Sequence, residues 1–138
     1  MTEEKLHEIV IDAKNAVLGR LASFAAKQAL MRKKVIILNC AEAIVTGRRG
    51  SVIKEYRDIR KKGGSSLMGP FFPKNPERIV KRTIRGMLSY KQGRGEAALE
   101  RIICYNHVPE KYQNAKKILA GKEKKTNTTK LGDLSREI

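Results

Sequence analysis

The spacing of hydrophobic residues predicts a βαβ unit at the start of the chain. Residues 8–12 (EIVID) and 35–39 (VIILN) are short apolar runs rich in β-branched residues, as in buried parallel strands. Between them, apolar residues recur at the spacing of an amphipathic helix. These helical positions are Leu18, Leu21, Ala22, Ala25 and Ala29. Strand, helix and strand within about 30 residues form a βαβ unit, which we expect to have a right-handed crossover.

The middle of the chain mixes turn signals with one further helical stripe. Residues 41–47 (AEAIVTG) predict a short helical turn that leads into an extended piece. Ser51 is the expected N-cap of a second helix. The apolar stripe of that helix is formed by Val52, Tyr56 and Ile59. Residues 63–66 (GGSS) predict a flexible loop, and the proline-rich residues 69–76 predict an extended one.

The stretch NPERIVKRTIRGMLSY, residues 75–90, predicts a helix with two different faces. Asn75 is a favoured N-cap, Pro76 a favoured first helical residue, and Glu77 a carboxylate suited to the helix dipole. Its apolar stripe is formed by Val80, Ile84, Met87 and Leu88. Its basic residues fall on a separate arc about 100° wide, taking ~3.6 residues per turn; they are Arg78, Lys81, Arg82 and Arg85. The helix therefore offers a core face and a face for a polyanion.

The last third of the chain predicts short elements and then a polar tail. Residues 93–95 (GRG) predict a turn that brings Arg94 close to a phosphate, before a short helix over residues 96–100 and a strand over residues 102–105 (IICY). We expect one α/β domain over residues 1–112, with an acidic segment at residues 1–7, a mostly parallel sheet and helices on both faces. The lysine-rich residues 113–138 hold too little apolar surface to fold alone, so a projecting tail is expected.

The charge of the chain favours a nucleic-acid partner. Lys and Arg number 30 and Asp and Glu 14, a net charge of +16 in 138 residues. Residues 54–94 hold twelve basic and three acidic residues, whereas a solvated face normally interleaves both signs. An anionic membrane surface is the weaker choice, because no apolar run approaches the ~18 residues of a spanning helix and the N-terminus lacks a signal-peptide core. We therefore expect no membrane association.

Few residues of the chain suit catalysis, metal or cofactor binding. The two cysteines and two histidines lack zinc-site spacing, and two cysteines fit a reducing cytoplasmic interior. The loop at residues 13–19 holds only Gly19, so the glycine cluster of a dinucleotide site is missing. A loose match at residues 93–98 follows a helix instead of a strand, and no local catalytic signature occurs. The expectation is a protein without cofactor, metal, small-molecule substrate or enzymatic activity.

Contacts to the phosphates and sugars of structured RNA are the predicted chemistry. Aromatic residues make up only 5% of the chain, so base stacking along a single strand cannot dominate. Recognition by phosphate and sugar contacts, guided by RNA shape, is favoured instead. The basic residues selected by charge and helical phase are Lys54, Arg57, Arg60, Lys61, Lys62, Lys74, Arg78, Lys81, Arg82, Arg85, Lys91 and Arg94.

Four ordered blocks of the sequence resemble the universal large-subunit ribosomal protein thirteen family. They are VLGRLAS at residues 17–23, the segment 39–47 ending in Thr46-Gly47, Pro76-Glu77-Arg78 followed by IRGML at residues 84–88, and Gly95 with Ala98-Leu99 and Arg101 before Tyr105. The similarity covers about residues 8–112, and RGML after PER is its most specific part. The GPFFPK loop and the lack of a bacterial-style N-terminal extension resemble the archaeal and eukaryotic branch.

The resemblance implies a fold, a role and two further site residues. The implied fold is a three-layer α/β/α domain with a four-stranded, mostly parallel Rossmann-like sheet. The implied role is structural, in the cytoplasmic large ribosomal subunit, bound to its rRNA and to neighbouring ribosomal proteins. Arg48 and Arg49 join the basic positions of residues 76–87 as implied rRNA contacts. Two alternatives stay open: a free regulatory RNA-binding module and, less favoured, a nucleotide-dependent RNA-modifying enzyme.

Overall fold

Six strands and five α-helices make up the part of the chain that the structure describes. The structure is a computed structural model that describes residues 7–61, 73–119 and 128–137. The strands are β1 (Glu8–Asp12), β2 (Lys34–Leu38), β3 (Ile44–Thr46), β4 (Ile102–Cys104), β5 (Ile118–Leu119) and β6 (Thr128–Lys130). The helices are α1 (Leu18–Leu30), α2 (Arg49–Lys61), α3 (Pro76–Met87), α4 (Gly93–Glu100) and α5 (Leu131–Glu137). Two short 3₁₀ helices span Cys40–Glu42 and Glu110–Tyr112.

The central sheet has four strands in the order β4-β2-β1-β5. All three of its strand pairs are parallel, and β1 and β2 pair along their full lengths from Glu8 opposite Lys34 to Asp12 opposite Leu38. Successive residues of a strand point to opposite faces, so each strand serves two cores. The predicted βαβ unit of β1, α1 and β2 is confirmed.

The sheet separates a large core from a small one. The large core contains Ile11, Val35 and Ile37 from the sheet and at least one buried side chain from each of the five helices. The small core contains Val10, Ile36 and Leu38, covered by Tyr112 of a 3₁₀ helix and by half-buried residues around it. Helices, sheet and this thinner third layer confirm the expected three-layer α/β/α class.

The end of the chain belongs to the domain. We expected residues 113–138 to project as a tail, and for the described part of that segment the expectation is wrong. β5 extends the central sheet, β6 pairs antiparallel with β3, and Leu131 and Leu134 of α5 are completely buried in the large core. The segment is polar on average, but its two buried leucines are enough to hold α5 on the domain, because the rest of the chain builds the core that they enter.

Three local predictions differ from the structure. Ser51 lies inside α2, which begins at Arg49, so it is not an N-cap. The GRG sequence was predicted to form a turn before a helix, but it forms the first turn of α4, which begins at Gly93. Met87 is 46% exposed at the last residue of α3, and Ile79 takes its place in the buried stripe. The predicted loop at residues 63–66 lies outside the described residues, as does the first half of the proline-rich segment, residues 69–72.

Candidate nucleic-acid interface

The amino end of α3 is fixed by a residue from a distant part of the chain. Asn75 has the extended backbone of an N-cap, as the sequence predicts, but its side chain makes no capping hydrogen bond. The backbone N–H of Glu77 instead donates to Oδ1 of Asn106, 3.0 Å away, in the loop that follows β4. The hydrogen bond pairs an N–H group of the first turn, which has no acceptor within the helix. The predicted helix start is correct, whereas the capping side chain comes from elsewhere.

The two predicted faces of α3 are present. Ile79, Val80 and Ile84 are almost completely buried in the large core. The basic arc lies on the other side and borders a concavity of about 370 Å³ between α3 and α4. This concavity, called the α3–α4 cleft below, is lined by Pro73, Arg78, Lys81, Arg82, Arg85 and Leu99. The structure therefore brings the four basic residues of α3 together around one cleft.

Gly95 allows α4 to form the opposite wall of the cleft. A Cβ atom at this position would lie 2.0 Å from the backbone oxygen of Ser89 and 2.3 Å from its carbonyl carbon. Only glycine permits such a close approach of two backbone segments. Because residues four apart share a face of a helix, this contact also sets the position of Leu99. The glycines that we expected to form a turn therefore serve helix packing at residue 95.

Arg85 is held by an aromatic ring beside the cleft. The centre of its guanidinium group lies 5.1 Å from the centroid of the Tyr90 ring, within the range of a cation–π interaction. Such a contact restricts the side chain while its charge and its N–H donors stay available. Arg85 is exposed, as is Arg78, whereas Lys81 and Arg82 are half-buried.

A second group of predicted contacts lies on α2, and two of its members have an internal partner. The Nε–H group of Arg57 donates to the backbone oxygen of Glu137, 2.7 Å away. The Glu137 carboxylate lies 3.8 Å from Nη2 of Arg57 and 3.6 Å from Nη2 of Arg49. Cations at the carboxyl end of a helix are favourable for the helix dipole. Arg49 and Arg57 thus fasten the end of α5 to α2, although both stay more than half exposed.

The other predicted site residues are not among the described residues that line the α3–α4 cleft. Arg48, Lys54, Lys74, Lys91 and Arg94 are exposed, and Arg94 lies in the first turn of α4. Arg60 and Lys61 belong to α2, but their side chains lie outside the description, and Lys62 lies outside it altogether. RNA contact by these residues stays a prediction.

Arg101 has a structural role that the sequence did not indicate. Its Nη1 atom donates to the backbone oxygen of Ala29, 2.9 Å away, near the carboxyl end of α1. The same oxygen also accepts a hydrogen bond from the backbone N–H of Arg32, 3.1 Å away, so Arg101 adds a second donor at this helix end. The two residues are 72 positions apart, so no local pattern relates them.

The carboxyl end of β1, where a Rossmann fold binds its cofactor, is filled by the protein itself. Ala13 and Ala16 are buried, and the oxygen of Ala16 accepts a hydrogen bond from the N–H of Ile44, 2.9 Å away. Oδ1 of Asp12 accepts bonds from the Lys14 N–H and from Nδ2 of Asn39, both at 3.0 Å. The Asp12 side chain is thus engaged by donors of the protein itself at this edge of the sheet.

The cysteines form a contact with each other and not a metal cluster. A hydrogen bond with the Cys104 side chain, together with burial, raises the pKa of the Cys40 thiol well above its usual range. A neutral thiol is a poor nucleophile and a poor metal ligand. Within residues 7–61, 73–119 and 128–137, no three potential ligands of the His, Cys, Asp and Glu types group together. No helix in these ranges is long and apolar enough to cross a membrane.

Comparison with known proteins identifies the family. The model of the ribosomal protein L13 family matches residues 6–111. The large ribosomal subunit protein uL13 of Methanosarcina barkeri is 47% identical over 110 residues, which are 79% of this chain and 78% of that protein. The uL13 proteins of Methanococcoides burtonii and Methanocaldococcus jannaschii are each 38% identical over 94% of this chain and 96% of their own length. The chain belongs to the ribosomal protein L13 family.

Proposed function

We propose that this protein is a structural constituent of the large ribosomal subunit in the cytoplasm, where it binds and stabilises rRNA. The observation that carries the proposal is the α3–α4 cleft, in which four cations of one helix face outward while the opposite face of the helix is buried. A large surplus of positive charge on a folded scaffold suits a polyanion. The three archaeal relatives carry the name large ribosomal subunit protein, which agrees with this role.

Electrostatic attachment is the mechanism that we propose. Each cation that neutralises a phosphate releases a condensed counterion, so the binding constant falls steeply as salt rises. The cations of α3 are held on a helix whose other face is anchored by Ile79, Val80 and Ile84. A rigid support of this kind lowers the entropy lost when the RNA binds. Neighbouring ribosomal proteins are proposed as further partners, with no cofactor or small-molecule substrate.

A role without catalysis is part of the proposal. Two observations support it: the crevice beyond β1 is occupied by the protein's own hydrogen bonds, and the raised pKa keeps the Cys40 thiol neutral. A nucleotide-dependent enzyme would need a ligand in that crevice near residues 12–19. A thermal-shift screen with nucleotides addresses this alternative, since a specific ligand raises the melting temperature.

The experiment that tests the proposal is the salt dependence of binding to purified large-subunit rRNA. The double variant Arg78→Gln, Arg85→Gln removes two exposed cations of the cleft. If both arginines neutralise phosphates, the plot of log K against log salt should become shallower, and the magnitude of its negative slope should fall by about 1.4–1.8, taking ~0.7–0.9 for each contact. The control Lys14→Gln, Arg20→Gln removes the same charge from exposed positions before and at the start of α1. Equal slopes for the two double variants would remove the α3 surface from the proposal.

A gradient experiment separates a ribosomal constituent from a free regulatory RNA-binding module. In a sucrose gradient, a constituent of the large subunit should sediment with that subunit at low salt and should remain with it at moderate salt. A free regulatory module should stay in the light fractions or bind other RNA. The Arg78→Gln, Arg85→Gln variant should leave the subunit at lower salt than the wild type.

A further inference from the structure

The α3–α4 cleft contains apolar walls that phosphate binding does not require. Contacts to a sugar–phosphate backbone need cations that reach its oxygen atoms. In this cleft, four cations surround Pro73 and Leu99, both half-buried, within about 370 Å³. Apolar surface that stays in water is unfavourable. A ligand that combines a flat ring with negative charge would cover the walls and compensate the cations.

We infer that the α3–α4 cleft binds one unstacked nucleotide of the RNA, with its base against Pro73 and Leu99 and its phosphates on the arginines of α3. The inference rests on the proposed function, because the nucleotide belongs to the bound RNA. The volume of the cleft is within the ~300–1,000 Å³ typical of small-ligand sites. Sequence-specific RNA recognition uses bases that are turned out of loops and bulges and that stack on side chains, including guanidinium planes. Three of the four cations are arginines and supply such planes.

The charge of the lining selects a nucleotide over other flat groups. Among the described residues that line the cleft, four are basic and none is acidic. A neutral or cationic ring would bring no negative charge to this basic lining, whereas a nucleotide carries a phosphate on each side of its sugar. A run of glutamates from a protein matches the charge, but its carboxylates leave Pro73 and Leu99 uncovered. The combination of apolar walls and basic rim therefore fits a nucleotide better than an acidic peptide.

The shape of the cleft is set before the ligand arrives. On the α3 side, Val80 and Ile84 are completely buried in the large core. On the α4 side, Ala98 is completely buried beside Leu99, and Gly95 fits against the backbone of Ser89. Both walls thus stand on helices whose positions are fixed by packing. Because the walls are already ordered, less binding free energy is lost in ordering them when the ligand binds.

The test compares two single-stranded probes that carry the same number of phosphates. One is oligoadenylate of about 12 nucleotides, within the site sizes of single-strand binders; the other is an abasic ribose-phosphate chain of equal length. We expect the wild type to bind the oligoadenylate about tenfold more tightly, the effect of one stacked base. In Leu99→Ala the ratio of the affinity for oligoadenylate to the affinity for the abasic chain should approach one, while the affinity for the abasic chain is unchanged. Leu99→Met, which keeps an apolar wall, should retain the preference.

Two further variants guard against a folding defect. Leu30→Ala removes the same atoms from a partly exposed leucine of a different concavity and should keep the full preference. Pro73→Ser changes the other apolar wall without altering the core contacts of Leu99, and it should lower the preference as Leu99→Ala does.

The possible results separate the inference from the proposed function. Equal affinity of the wild type for both probes, or an unchanged preference in Leu99→Ala and Pro73→Ser, overturns the nucleotide site and leaves phosphate binding by α3 intact. Tighter binding of a polyglutamate of equal charge, weakened by Leu99→Ala, assigns the cleft to an acidic protein segment instead. Failure of both probes to bind at low salt also overturns the nucleotide site, whereas failure of purified large-subunit rRNA to bind contradicts the proposed RNA-binding function itself.

Discussion

Gly95 connects the stability of the fold to the geometry of the α3–α4 cleft, and its replacement by alanine tests both. The added Cβ atom would lie 2.0 Å from the Ser89 oxygen, whereas ordinary van der Waals contact begins at 3.4 Å. A displacement of about 1.4 Å is therefore required, taking the difference of those two distances. The obstacle is backbone, which cannot rotate away as a side chain can. The first turn of α4 must move, and Leu99 with it.

The expected cost of Gly95→Ala follows from two opposing effects. Overpacking of this kind costs about 1–3 kcal/mol and sometimes more. Alanine stabilises a helix by up to about 1 kcal/mol relative to glycine, and by less in the first turn. We expect the free energy of unfolding to decrease by about 2 kcal/mol, which lowers the melting temperature by several degrees for a domain of this size.

Two other helical glycines provide matched controls. A Cβ atom at Gly86 in α3 or at Gly93 in α4 would meet no atom within 4 Å. Because only the helix preference acts at these sites, Gly86→Ala should stabilise the protein by about 0.5–1 kcal/mol and Gly93→Ala by less. Urea unfolding followed by far-ultraviolet circular dichroism measures all three variants. Equal stability of Gly95→Ala and Gly93→Ala would refute the close contact between α4 and Ser89.

Three further results are expected from the structure. Asn106→Ala should destabilise the protein by about 1 kcal/mol because it removes the cap of α3, whereas Asn75→Ala should cost clearly less in the same urea titration; the reverse order would contradict the assignment of the cap. Leu134→Ala should cost about 2–5 kcal/mol because the side chain is completely buried, and an unchanged unfolding midpoint would mean that α5 does not pack on the core. The pKa of the Cys40 thiol is raised by its hydrogen bond to Cys104 and by burial, so iodoacetamide at mildly alkaline pH should label Cys40 only after denaturant is added. Mass spectrometry measures the labelling, and rapid labelling of Cys40 in the native protein would disprove this prediction.

The elements with a regular local pattern could be predicted from the sequence. β1, α1 and β2 were predicted within one or two residues of their observed bounds, and α3 was predicted at its start but ends three residues before the predicted stretch does. Their hydrophobic spacing is a local property, and each of these elements buries one face or stripe, so the periodicity survives in the tertiary structure. The basic arc of α3 was predictable for the same reason, since the helical period alone places its four cations on one side.

The features that the sequence did not predict depend on contacts that only folding creates, most of them between residues far apart in the chain. Asn106 caps α3 from a position 29 residues after Glu77, and Arg57 binds Glu137 across 80 residues. Gly95 was predicted to lie in a turn because glycine is a usual turn signal, although here its missing side chain allows a close contact of α4 with Ser89. Asn106 and Glu137 are partners that no local window contains. Ser89 is near Gly95 in sequence, but only the folded path of the turn between α3 and α4 brings the two backbones together.

The sequence by itself determined the α/β class, the main helices and strands, the excess of positive charge and the resemblance to a ribosomal protein family. These depend on composition, periodicity and ordered motifs, which are properties of the chain alone. Only the tertiary structure decided that the basic residues of α3 share a cleft with Pro73 and Leu99, that Arg49 and Arg57 hold the end of α5, and that the polar C-terminal segment completes the core. The physical reason is that a side chain's role is set by the atoms it contacts, and those atoms are brought together only by folding.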